Sequence, residues 1–550
     1  MVCYVPTHSS HACEDVDYNS RIFAFAQANN RATQLICITR RPLAWTYADL
    51  IAQHDASQLR MIVLDSLPLR ERETDLQPTP MAAEQLHYLS VHSDVPAAIG
   101  SAPRLSVLRL TGPHVTICPD WLSSAAASLT LLTLSGSSIV ALPYSLGQLS
   151  ALQELDLTSC TSLTALPETL GDLSALRQLD LTLCSGLTVF PSSLGQLSAL
   201  QRLLLPKCNV DLLPDSVGDL SALVELDMTG MSRLIGLPPS LGQLSALQRL
   251  HLYGCITLTA LPDSLARLSA LQALDLSLCT GLSALPHSTG QLSALRELRL
   301  KQCSSITAVP DSLGQLAALQ LLDLSHCTKL TALPESLRGL QALRQLELTG
   351  CSSLTTLPDS LGKLTALTRL DLSGCSSLRS LPESLGQLSG LRELNLSGCS
   401  TLAALPDSFG QLTGLTRIDL SGCSGLNMLP ESLCQLPALL ELNLSQCRSL
   451  TELPEGLGRL SALQELDLSE CRSLRALPAS LGRLTAVPAS AAAQLPAPAC
   501  PPEQPRAPLS AAAAGSVTVH EPGFSTLKPG TAASAASVAP VRLQKPSRAP

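Results

Sequence analysis

The sequence predicts an α/β solenoid, a curved horseshoe with a parallel concave β-sheet and an irregular or short helical convex side. Three observations predict it: a 24-residue unit recurs through residues 130–484, every unit holds a short stretch alternating polar and apolar residues, and every unit holds a proline that must end that stretch. Fifteen such prolines run from Pro143 to Pro478. Thirteen of their fourteen intervals are 24 residues and one, Pro191 to Pro214, is 23.

Within the unit LQELDLTSCTSLTALPETLGDLSA, which starts at Leu152, each element has a physical reason. Period-two alternation sends Leu155 and Leu157 to one side and Glu154, Asp156 and Thr158 to the other, which makes a strand with one buried face. Cys160 and Leu163 then turn the chain inward, and Pro167 keeps the strand from continuing. ETLGDLSAL runs back as a loose helical turn whose leucines refill the core. A single unit cannot bury both faces, but stacked units can. Each adds one parallel strand at ~4.8 Å, so fifteen units make an arc of ~70 Å.

Composition agrees with an aliphatic core, since 45% of the 550 residues are hydrophobic and only 2% aromatic. Length therefore counts copies rather than domains. Thirteen rings are too few for stacking on nucleic acid, and 36 Lys+Arg against 44 Asp+Glu, a net charge of -8, has the wrong sign for phosphate. Eight of the rings lie in residues 1–121, Trp45 and Trp121 among them. Glu14, Asp15 and Asp17 occupy the place of the apolar core of a secretory signal, so no export signal is expected. No run of 18 apolar residues appears, so no membrane span is expected either.

Cysteine is where chemistry would be sought first. Thirteen of the nineteen cysteines share one position of the unit, from Cys160 to Cys471, with Ser137 and Met231 in the other two slots. A small, weakly donating side chain there can serve backbone carbonyls of the turn. Neighbouring copies would carry parallel Cβ vectors too far apart for a disulfide, whose Cβ atoms sit ~3.8 Å apart, and no CxxC or matching His suggests a metal. A reduced column implies a reducing, cytoplasmic compartment. Cys3, His8, His11 and Cys13 are ligand types that suit zinc, but their spacing fits no closed tetrahedral site, and they read as a chance cluster in a flexible terminus. Cys37, Cys118 and Cys434 read as packing residues, and Cys500 has no neighbouring base. Gly362-Lys363 is followed by Leu364, so it is no phosphate loop, and nothing resembles a nucleophile elbow. No cofactor, metal or catalytic residue is expected, and the chain is not expected to be an enzyme.

The exposed side of the strands can be read in columns. Asp156, Asp180, Asp227, Asp275, Asp323, Asp371, Asp419 and Asp467 share the central column, with Glu347, Asn395 and Asn443 in the same line. A solvated face repeated by duplication explains most of it. The column breaks at Leu204, His251 and Arg299, and the flanks there bring Arg202, Lys207, Arg249, Tyr253 and Lys301. Tyr253 is the ring expected on the concave surface. A ring beside Arg is the usual make-up of an interface anchor, so these eight residues form the candidate partner-binding patch.

The frame LxxLxLxxCxxLxxLPxxLGxL identifies the chain as similar to leucine-rich repeat proteins, strongly over about 130–485 and in degraded form back to residue 59. Its wording from Leu370 to Leu388, LDLSGCSSLRSLPESLGQL, resembles the repeats of plant intracellular disease-resistance receptors. That resemblance implies a concave sheet that binds another protein. Those receptors carry a nucleotide-binding domain that has no counterpart here, so the chain would keep the sensing module alone. Bacterial effectors that mimic host repeats, some linked to ubiquitin ligation, and scaffolds for small GTPases share the arc and stand as alternatives. The expected organisation is an N-terminal capping region (1–85), in which QLICIT (34–39), WTYADLIAQ (45–53) and RMIVLD (60–65) suggest strand, helix and strand, then atypical leucine-rich coils (86–129), regular repeats (130–484) and a disordered Ala/Pro/Ser-rich tail (485–550).

Overall fold

In the computed structural model of the chain the described residues are 2–4, 34–38, 59–64, 81–82, 84–92 and 99–484. The expected helix at 45–53, the tail from 485 and the positions of His8, His11 and Cys13 lie outside them. Twenty strands form a single parallel sheet among the described residues, each pairing with the next in the chain. The expected strands near 34–39 and 60–65 are present as Gln34–Ile38 and Leu59–Leu64, and they continue the sheet from Val2–Tyr4 to Tyr88–Val91. Met81–Ala82 and Ile99–Ser101 pair separately. The architecture is the expected curved solenoid, with fifteen five-residue 3-10 turns from Tyr144–Gln148 to Ala479–Arg483 opposite the strands. No helix among the described residues is long and apolar enough to cross a membrane.

In the regular repeats each strand is three residues long, as in Glu154–Asp156, and in strict register with its neighbour, Leu155 opposite Leu179. The central leucine is buried in every copy, with Ile418 in its place once. The ladder runs on past the strand through Leu157 N–H to Asp180 O (2.8 Å) and Ser159 N–H to Thr182 O (2.7 Å). It then ends because the chain turns with positive φ. Glycine takes that position at Gly230, Gly254 and from Gly350 to Gly422, whereas Ser159, Leu183, Lys207, Leu278, Gln302, His326, Gln446 and Glu470 hold it with side chains.

The cysteine column does what its residue type allows. Cys327 Sγ donates to Leu300 O at 3.2 Å, and the same bond to the preceding repeat recurs from Cys160 to Cys471. Burial pushes most of the thiols up, Cys208, Cys255 and Cys351 to about 12, whereas hydrogen bonds from Cys184 and Ser137 hold Cys160 below the ordinary thiol range. Cys184, hydrogen-bonded to Cys160 and buried beside it, is raised as well. The column cysteines, Cys118 and Cys434 are all free thiols.

On the convex side the proline accepts the first hydrogen bond of the 3-10 turn, as in Leu146 N–H to Pro143 O (3.0 Å). In most repeats the glycine of SLG leaves no space for a side chain, although Ala266 and Arg338 hold the same position. A Cβ on Gly195 would lie 2.2 Å from Ser216 O, and the same serine column meets most of the other glycines of this position. Where Cys434 replaces that glycine, the facing serine becomes Gly456, so the volume moves across the interface. The single 23-residue interval arises between Cys208 and Val210, where one residue fewer connects column to core, and Arg202 still pairs with Glu225 in register.

A candidate recognition surface on the concave sheet

The carboxylate column first has a local role. Asp156 Oδ1 accepts the Thr158 amide at 2.9 Å, and the equivalent bond to the residue two positions on forms at every aspartate of the column and at Asn395 and Asn443. The ladder leaves that amide without a backbone acceptor, and the side chain supplies one. At the Leu204 repeat the residue two positions on is Pro206, which has no amide to satisfy. Loss of the acid and loss of the donor occur together.

Arg369 shows how the remaining charge is balanced. It reaches Glu347 (2.9 Å), Asp371 (3.1 Å) and Glu393 (2.9 Å), while Asn395 donates to Asp371 at 3.2 Å. Burial raises the carboxyl of Glu347 above its ordinary range in spite of Arg369. Further along, Arg417 pairs with Glu441 at 2.8 Å.

Of the eight candidate residues, the structure gathers three around Glu225. Arg202 lies 3.1 Å from its carboxylate, Arg249 3.0 Å and His251 4.0 Å. Burial of Glu225 favours its neutral form, but the hydrogen bond from Arg249 and the charge of Arg202 outweigh it and hold the pKa below the ordinary range. Arg202 also donates to Gln178 at 3.1 Å. Glu225 was not singled out by column reading, although its place between Arg202 and Arg249 in the flanking column was a usable signal. Arg299 is occupied by Glu297 of its own strand at 2.9 Å.

The other four divide by position. Leu204 is half-buried at the end of strand Arg202–Leu204. Tyr253 and Lys301 lie two residues past their strands, and Lys207 occupies the positive-φ turn. Tyr253 is 43% exposed. Neither Lys207 nor Lys301 has an acidic partner among the described residues. The patch is also interleaved, because Asp227 sits between Leu204 and His251 in register and Asp275 between His251 and Arg299. No group of metal-ligating side chains occurs among the described residues.

The family description "leucine-rich repeat region" matches residues 175–302, 287–400 and 370–488, which together make up more than half of the chain. The chain belongs to the leucine-rich repeat proteins. No curated protein matches it at a significant level. Among solved structures it is similar to a leucine-rich repeat protein of Leptospira interrogans, with 29% identity over 66% of this chain and 90% of that one and a TM-score of 0.53. It is similar also to the leucine-rich repeat domain of the type III effector XopL, with 32% identity, 40% and 69% coverage and a TM-score of 0.32. A plant peptide hormone receptor solved in complex with RGF2 shares 22% identity over 72% and 82% of the two chains, with a TM-score of 0.40. The family is one of repeats rather than of enzymes, and a leucine-rich repeat arc of this form is consistent with a protein–protein interaction module.

Proposed function

We propose that this leucine-rich repeat protein is a non-catalytic recognition module that holds a protein partner on its concave sheet, as the sensing arc of disease-resistance-type receptors does. The supporting observation is the exposed ring of Tyr253, two residues past the strand that carries Arg249, together with the half-exposed guanidinium groups that flank Glu225, with Lys207 and Lys301 free to pair with acids of a partner. In this reading Glu225 holds Arg202 and Arg249 in place, and Tyr253 supplies the apolar anchor. Residues 1–85 and 86–129 close the N-terminal end of the arc, and residues 485–550 act as a tail. The column of free thiols suits a reducing cytoplasm.

Proximity labelling with the native chain and with a Tyr253→Ala, Arg299→Glu chain tests the reading. Partners that depend on the patch drop out of the labelled set in the variant, and an unchanged set removes the patch as anchor. A second reading, a bacterial protein that displays host-like repeats, draws on the likeness to the Leptospira interrogans protein. Ubiquitin discharge with and without Cys434 and Cys500 tests its ligase form, and pull-down on nucleotide-loaded small GTPases tests the scaffold alternative.

A further inference from the structure

Exposed large apolar side chains are confined almost wholly to the first half of the arc. Five of them form a line on the flank between the cysteine column and the 3-10 turns, in the two positions just before the last core residue ahead of the proline. They are Ile117 (66% exposed), Val140 (58%), Val189 (63%), Leu212 (55%) and Ile235 (56%). The repeat frame does not require them. From Thr259 to Ala476 the same two positions carry Thr, Ala, Ser, Asn, Arg and Glu, with Met428 the one large apolar residue. The line spans five repeat intervals, or ~24 Å at strand spacing, and is interrupted in one row, between Val140 and Val189, where Thr164 and Ala165 stand.

Charge beside the line is mostly of one sign. The outer face of the same repeats presents the exposed acids Asp120, Glu168, Asp172, Asp211, Asp215 and Asp219; of the exposed cations of these repeats, Arg233 is bound to Asp211 at 2.7 Å, Lys207 lies at the turn beside the cysteine column and Arg177 just ahead of a strand. Geometry narrows the partner further. Backbone groups here already join one repeat to the next, Thr164 N–H to Val140 O at 3.2 Å and Ile235 N–H to Asp211 O at 3.1 Å. Recognition therefore runs through side chains rather than through an added strand.

We propose that this flank is a second docking surface, for an amphipathic helix of about 16 residues with an aliphatic face bordered by Lys and Arg. It is separate from the concave patch and does not depend on it. The test uses the full chain and two designed helical peptides of about 18 residues with the same leucine face, one bordered by lysines and the other by glutamates, read by fluorescence anisotropy. The lysine peptide should bind, and a Val189→Ser, Leu212→Ser, Ile235→Thr chain should weaken it about tenfold or more. Tyr253→Ala should leave its affinity unchanged. Equal binding of the glutamate peptide, or affinity for the lysine peptide that survives the triple substitution, overturns the proposal. Self-association of the native chain in sedimentation that the triple substitution abolishes also overturns it, since the flank would then hold a second copy.

Discussion

Replacing Asp275 by Leu should strip the Ser277 amide of its acceptor. Asp275 Oδ1 lies 2.9 Å from that nitrogen, and Ser277 is 4% exposed, so water cannot readily take over the bond. A buried amide left unpaired costs about 1–3 kcal/mol. Ser277→Pro alone should cost a similar amount, because it removes the donor and brings a ring carbon against the carboxylate. The two changes together recreate the pairing found at Leu204 and Pro206, where the same backbone accommodates proline. The double variant should therefore be more stable than the sum of the single losses by about 1–3 kcal/mol. Urea unfolding of the full chain followed by far-ultraviolet circular dichroism, on the native protein and the three variants, measures this coupling. Losses that simply add, to within about 0.5 kcal/mol, refute the reasoning.

Three further outcomes are expected. Gly456→Ser should destabilise by about 1–3 kcal/mol because Cys434 fills the space a serine takes in other repeats, and Cys434→Gly in the same chain should restore the melting temperature. Glu225, whose pKa is depressed in the folded chain, contributes stability above its unfolded pKa and loses it as pH falls through its folded pKa. The difference in melting temperature between the native chain and Glu225→Gln should therefore be largest near pH 7 and shrink toward about pH 3. In iodoacetamide labelling of the native protein read by peptide mass spectrometry, Cys471 should react first of the thirteen column cysteines. It is the one of them not fully buried, and access decides the order, since Cys160, whose thiol is held below the ordinary range by Cys184 and Ser137, is 1% exposed; labelling of Cys160 before Cys471, or uniform labelling across the column, would contradict the packing.

Much of the fold was legible because repetition multiplies a weak local signal. One LQELDL stretch could be a strand or part of a helix, but fifteen copies at fixed distance from a proline admit one arrangement in which every leucine is buried. The site was legible in part. Tyr253, Arg202 and Arg249 stood out beside the breaks in the column, but Glu225, the common partner of the two arginines, did not. Its role comes from lateral register between copies 23 and 24 residues apart, which places the residues of one column side by side. Nor could columns show that each aspartate is occupied by an amide two residues on, since that bond depends on where the ladder ends.

By itself the sequence determined the solenoid, the buried leucine and cysteine columns and the turn after each proline, because these follow from periodicity and from what each side chain can bury or donate. Only the tertiary structure decided which charges are already paired, that Pro206 explains the missing acid at Leu204, and that five aliphatic side chains line up on one flank. Those facts depend on distances across neighbouring repeats, and residues a full repeat apart in the chain become neighbours only when the coils stack.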